Sequence, residues 1–163
     1  MTRIQRLMLL LPVLALFACS GDDGQQLIAN IEAGNPQTLR QLPETVKRIN
    51  HSLNDEQSAQ LVQAIGFALV KNPGAVLQST DVMDKDGDTL VQRFGTGAVC
   101  ALPVDMDYTR DSTFHYYKLA SDSLINAGLP AKECLDIMQA SMDEVKAADM
   151  QGKMKWGHKI YIP

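Results

Sequence analysis

The sequence predicts an all-α protein: a compact, single-domain helical bundle of 163 residues. Three observations favour this fold class. Apolar residues recur at three- and four-residue spacings, asparagine or proline stands where such segments begin, and the apolar share of 45% is that of an ordinary globular protein. The net charge of −4 argues against nucleic-acid binding, which needs a basic face.

The first helices are expected between residues 27 and 53. Residues 27–33 form an apolar segment that Gly34, Asn35 and Pro36 bring to an end. Pro36 and Pro43 each begin a short helix in this interpretation, because proline suits the first helical turn.

The clearest helix signal covers residues 55–71. Asn54 is a good N-cap, and Gln57 three residues later gives the pattern of a capping box. The apolar face is broad, which predicts packing on more than one side; its members are Leu61, Val62, Ile65, Phe67, Ala68 and Leu69. Asn72 and Pro73 end this helix and start the next.

Residues 84–111 are expected to be irregular, with residues 98–102 as a short buried segment. Helical spacing resumes after Asp111 and stops at Gly128; the face predicted there consists of Phe114, Tyr117, Ser121, Leu124 and Ile125. Pro130 opens a final helix whose predicted core positions are Cys134, Leu135, Met138, Met142 and Val145. Residues 150–163 form a basic, apolar tail that is expected to dock, with one strand as an option.

The N-terminus has the features of an export signal. Arg3 and Arg6 precede a run of apolar residues at 7–18 that is too short for a membrane-spanning helix. Residues 16–19, Leu-Phe-Ala-Cys, resemble the lipobox of bacterial lipoprotein precursors. The resemblance implies removal of residues 1–18, acylation of Cys19 and, because Ser20 follows, sorting to the outer membrane rather than the inner. Ordinary secretory cleavage near Ala18 is the alternative.

This interpretation divides the chain into a signal peptide at 1–18, a lipidated cysteine with a polar spacer at 19–26, and a helical domain at 27–163. Removal of the signal leaves 13 basic and 19 acidic residues, and therefore a net charge of −6. Such an acidic body is expected to reach the membrane through the lipid on Cys19 rather than through a basic patch.

Cys100 and Cys134 remain after lipidation of Cys19. An exported protein meets an oxidising compartment, so a disulfide between them is expected. A metal site or a reactive thiol is the alternative. The segments Asn-Pro-Gly-Ala-Val-Leu at 72–77 and Val-Cys-Ala-Leu-Pro at 99–103, with a later cysteine near 134, resemble small exported bacterial proteins of uncharacterised function. That resemblance agrees with a helical, disulfide-linked body and implies no activity.

Asp84, Asp86 and Asp88 are candidate calcium ligands, because hard cations prefer several carboxylates in one loop. The loop departs from the EF-hand pattern, however, with Thr89 and Gly95 at its sixth and twelfth positions. A simple turn is the favoured interpretation, and no metal or other cofactor is predicted.

Asp111 lies one helical turn before His115 and could orient it as a general base, although a capping aspartate on an aromatic face is the favoured interpretation. No recognised catalytic motif occurs. The sequence therefore favours a non-catalytic, periplasm-facing lipoprotein that binds a protein partner. Two versions are an immunity protein that captures a toxin and an accessory subunit of an envelope complex, and an envelope hydrolase using His115 and Asp111 is the rival class. The candidate contact residues are Asp81, Asp105, Asp107 and Trp156.

Overall fold

The computed structural model describes residues 21–102 and 108–163, and it confirms the all-α prediction. The helices, in chain order, are α1 (Gly21–Glu32), α2 (Pro36–Ile49), α3 (Asp55–Lys71), α4 (Pro73–Asp84), α5 (Thr89–Gln92), α6 (Thr96–Cys100), α7 (Arg110–Ala127) and α8 (Lys132–Met150). Short 3-10 helices at Asn50–Ser52 and Leu129–Ala131 follow α2 and precede α8.

Helix α3 lies at the centre of the bundle. It packs against α1, α4, α6 and α7, as its broad apolar face predicted. The capping box is present: the Asn54 side chain accepts from the backbone N–H of Gln57, whose side chain accepts from that of Asn54. Leu61, Ile65 and Leu69 are buried in the core.

Helix α1 begins earlier than expected, at Gly21 rather than at residue 27. Residues 21–26 were interpreted as a polar spacer, yet their backbone is helical. The helix ends at Glu32, as predicted, and Gly34 follows with a φ of +68°. A side chain is unfavourable there, because an added Cβ would lie 2.6 Å from the Cβ of Lys71.

The prediction that Pro43 begins a separate helix is wrong, because α2 is continuous from Pro36 to Ile49. A proline inside a helix removes the N–H that would bond the carbonyl four residues earlier, here Leu39. That carbonyl instead accepts a hydrogen bond from the Ser79 hydroxyl of α4, with 2.5 Å between the oxygens. The helix therefore continues through Pro43 because a neighbouring helix supplies the missing donor.

Residues 84–111 are less irregular than predicted, since α5 and α6 lie within them. The buried segment at Cys100 is confirmed. In α7 the buried aromatic residue is Tyr116, whereas the predicted Ile125 is exposed. The buried positions Cys134, Met138, Met142 and Val145 of α8 agree with prediction. The described residues contain no strand beyond an isolated parallel bridge between Tyr108 and Lys159.

Candidate functional site

Asp84 ends α4 and caps the start of α6. Both of its carboxylate oxygens lie 3.1 Å from the backbone nitrogen of Thr96, whose N–H donates to them. The Thr96 hydroxyl is 2.9 Å from that of Thr80 on α4. Gly95 leaves room for this arrangement, because a Cβ added there would lie 1.7 Å from Asp84 Oδ1. Asp84 is therefore a structural link between two helices.

Asp86 and Asp88 tie the loop before α5 to the end of α2. Asp86 accepts the backbone N–H of Asp88 at 2.9 Å and pairs with the ammonium of Lys47 at 3.2 Å. Asp88 caps α5 by accepting the backbone N–H of Leu90 at 2.9 Å, and it also accepts from the Asn50 side-chain amide at 2.9 Å. The backbone N–H of Asp88 and then the Lys47 ammonium hold the pKa of Asp86 below its ordinary value. The Leu90 N–H is the main cause of the lowered pKa of Asp88.

Asn50 and Arg93 form the buried side of this loop. Arg93 donates from Nη2 to the backbone oxygen of Asn50 at 3.0 Å, and its guanidinium lies 5.0 Å from the ring centre of Phe94. Asn50 is almost completely buried. Within the described residues, its Oδ1 atom and the Nε atom of Arg93 lack a hydrogen-bond partner.

The candidate calcium ligands thus point to different protein donors. Thr96, Lys47 and Asn50 each contact one of the three carboxylates. In the parts of the chain that the structure describes, no three His, Cys, Asp or Glu side chains come together in a way that could hold a metal ion. The geometry favours the turn interpretation of this loop.

His115 and Asp111 lie on the exposed surface of α7. The structure, which describes both residues, shows no hydrogen bond or ion pair between them. The His115 ring is instead 6.3 Å, centre to centre, from that of Tyr161 in the C-terminal tail. The expected contact between Asp111 and His115 is therefore not observed in the described part of α7.

Trp156 is half-buried and holds the C-terminal tail against α7 and α8. Its indole N–H donates to Asp149 at 2.8 Å, and its ring centre lies 6.4 Å from that of Phe114. Arg110 also donates to Asp149, at 2.8 Å. The expected docking of the tail is therefore observed, and the indole already has a partner within the chain.

Asp81 is the contact candidate on α4, and its side chain is exposed. Its carboxylate is 2.7 Å from the ammonium of Lys85, one turn later on α4. Asp105, Asp107 and Cys19, the predicted lipidation site, lie outside the described residues.

Cys100 and Cys134 form a disulfide that joins α6 to α8, and both residues are buried. This confirms the expected pairing and excludes the alternative of a free reactive thiol or thiolate metal ligand at either position.

Sequence reasoning missed the contribution of α2 to the acidic loop. Lys47 and Asn50 lie 39 and 38 residues before their aspartate partners, and no local pattern connects them. It also missed the outward position of Ile160 and Ile162 in the C-terminal tail. The alternation of side chains along an extended chain is the signal that could have indicated it.

Fold and site together define a disulfide-linked, all-α domain with a fixed acidic loop. Within residues 21–102 and 108–163, no helix combines the length and the apolar character needed to cross a membrane. No protein-family model matches the chain, and neither a curated protein nor a solved structure matches it.

Proposed function

We propose that this chain is an exported lipoprotein, anchored in the bacterial envelope by the lipid on Cys19, that faces the periplasm and binds a protein partner without catalysis. The leader at residues 1–18 and the lipobox-like residues 16–19 support export and acylation. The buried disulfide between Cys100 and Cys134 supports an oxidising compartment, because such bonds persist there and are rare in the cytosol.

The observation that carries the binding proposal is the fixed acidic surface formed by α4 and the loop that follows it. Asp86 and Asp88 are held in place by hydrogen bonds, which also lower the pKa of each carboxyl. The side chain of Asp81 on the same segment is 62% exposed. A surface already ordered before binding loses less conformational entropy on association.

A basic protein is the partner that this surface fits. Complementary charge accelerates capture, which suits an immunity protein that must meet a toxin as it arrives in the periplasm. The net charge of −6 left after removal of the leader supports the same partner. A stable partner that is a resident envelope protein would instead identify an accessory subunit.

The anchor can be tested by metabolic labelling with palmitate and by membrane fractionation. We expect label on the wild-type chain and none on Cys19→Ser, which should be released in soluble form. Labelling of Cys19→Ser at the wild-type level would contradict acylation at this residue, and cleavage near Ala18 without label would identify an ordinary secretory signal.

The binding surface can be tested by cross-linking the anchored protein in its own envelope and comparing two charge reversals. Asp81→Lys changes the proposed surface, whereas Asp122→Lys changes a similar carboxylate on α7, 52% exposed and paired with Lys118. We expect the cross-linked partner to be lost with Asp81→Lys and with raised salt, and retained with Asp122→Lys. Equal retention by both variants would contradict the proposed surface.

A further inference from the structure

The C-terminal tail is docked against the bundle through backbone hydrogen bonds. The N–H of Gly157 donates to Tyr108, and the N–H of Thr109 donates to Lys159, with 2.9 Å in each bond. The N–H of Tyr161 donates to the hydroxyl of Ser112 at 3.0 Å. The last residues of the chain therefore have a defined orientation.

That orientation directs two isoleucines away from the protein. The ring of Tyr161 is buried among aromatic residues, 4.7 Å from Phe67 and 5.3 Å from Tyr116 between ring centres. Because alternate residues of an extended chain face opposite sides, Ile160 and Ile162 face outward and are 72% and 83% exposed. The bundle thus presents a fixed apolar ridge.

The ridge lies in the most basic part of the chain. Residues 150–163 contain Lys153, Lys155 and Lys159 and no acidic residue, although the chain as a whole is acidic. Exposed apolar side chains beside lysines are typical of surfaces that enter the headgroup region of a bilayer.

The acylation site is joined to the bundle through α1. Helix α1 has 12 residues and is therefore about 18 Å long. It begins at Gly21, only two residues after Cys19, so no long linker separates the acylation site from the bundle.

We propose that the ridge formed by Ile160 and Ile162, together with the neighbouring lysines, docks onto a lipid surface that contains anionic headgroups. This inference rests on the acylation of Cys19 in the proposed function, because the anchor keeps the membrane within reach of the tail. The acyl chains supply the attachment, since the body as a whole is acidic, and the ridge then fixes which face of the bundle the bilayer covers.

The proposal gives the two surfaces separate roles. The acidic loop packs against α2, whereas the tail packs against α7 and α8. In this proposal the tail contacts the membrane and the acidic loop contacts the protein partner. An acidic protein that binds the tail is the competing occupant, and the test below distinguishes it.

The test uses the full acylated protein in vesicles of phosphatidylethanolamine and phosphatidylglycerol. Trp156 is the single tryptophan and its indole N–H holds the tail, so it is kept and the wild-type emission is subtracted. Ile162→Trp in this Trp156 background reports on the ridge. Leu129→Trp in the same background is the matched control, because Leu129 is 86% exposed before α8 and outside the tail.

With brominated lipids, we expect Ile162→Trp to lose most of its emission and to shift to the blue, while Leu129→Trp keeps the emission of a solvated indole. Lys153→Glu with Lys155→Glu should reduce the quenching at Ile162→Trp, as should vesicles of phosphatidylcholine alone. Ultraviolet circular dichroism checks that each variant retains the helical fold.

Three outcomes would overturn the inference. An acylated, folded Ile162→Trp variant whose emission stays aqueous would refute the membrane contact while leaving the anchor and the partner proposal intact. Cross-linking of the tail to an acidic protein with unquenched emission would assign the ridge to that partner. Absence of palmitate on Cys19 in the same samples would refute both the anchor and this inference.

Discussion

The hydroxyl of Ser79 on α4 donates a hydrogen bond to the backbone carbonyl of Leu39 on α2, with 2.5 Å between the two oxygens. This carbonyl is the one that Pro43 deprives of its helical donor. The contact therefore compensates for an internal proline and joins α2 to α4 at a completely buried position.

Ser79→Ala is expected to lower the free energy of unfolding by about 1–3 kcal/mol, because a buried carbonyl loses its donor. Pro43→Ala restores a backbone N–H that can bond Leu39, so Ser79→Ala should cost less in that background. Urea denaturation of the two single variants and the double variant measures this coupling. Strictly additive effects would show that Ser79 does not compensate for Pro43.

Reduction of the Cys100–Cys134 disulfide is expected to lower the free energy of unfolding by about 3–4 kcal/mol, because the bond restricts the unfolded chain over a sequence separation of 34 residues. Urea midpoints with and without reductant measure the change. The double variant Cys100→Ala with Cys134→Ala is the control, and its urea midpoint should be the same with and without reductant. An unchanged wild-type midpoint after complete reduction would contradict the expectation.

Signals that act over a few residues predicted the helices well. The Asn54 capping box and the Asn72–Pro73 boundary each depend on contacts within about one helical turn. Both can therefore be predicted from neighbouring residues in the sequence. The continuity of α2 at Pro43 could not be predicted in this way, because the donor that permits it is Ser79, on another helix.

The same distinction applies to the candidate sites. The carboxylates of the loop are visible in the sequence, but their roles depend on Lys47 and Asn50, which tertiary packing brings close. The pairing of Cys100 with Cys134 was predictable because the assignment of Cys19 to lipidation leaves two cysteines that can pair. The protein partner proposed for the acidic surface has no signature in the sequence beyond its complementary charge.

Gly95→Ala is expected to destabilise the protein through a direct clash. The new Cβ would lie 1.7 Å from Asp84 Oδ1 and 2.9 Å from the backbone oxygen of Gln92, so the carboxylate must leave its position as the cap of α6. Loss of such a cap costs about 1–2 kcal/mol. Thermal denaturation should show that Gly95→Ala costs clearly less in an Asp84→Ala background, and equal costs in both backgrounds would contradict this explanation.

Chelation is expected to leave the melting temperature unchanged. Protein donors already occupy the carboxylates of Asp84, Asp86 and Asp88, and binding of calcium would have to displace the Lys47 ammonium from Asp86. Differential scanning calorimetry with EDTA and with added calcium measures the effect. A melting temperature that rises with calcium and falls on chelation would restore the calcium interpretation of this loop.

Asp149 is expected to make docking of the tail sensitive to acid. The guanidinium of Arg110 and then the indole N–H of Trp156 hold the pKa of Asp149 below its ordinary value of 3.8. Because the folded state favours the ionised carboxylate, its contribution to stability is complete at neutral pH. This contribution is lost as the pH falls below the ordinary value of about 3.8 and then through the lowered pKa of the folded state. The emission of Trp156 and the free energy of unfolding, measured against pH, report this loss. Asp149→Asn should be less stable than wild type at neutral pH, and the difference should shrink in acid, whereas a difference that is constant down to strong acid would contradict the assigned role.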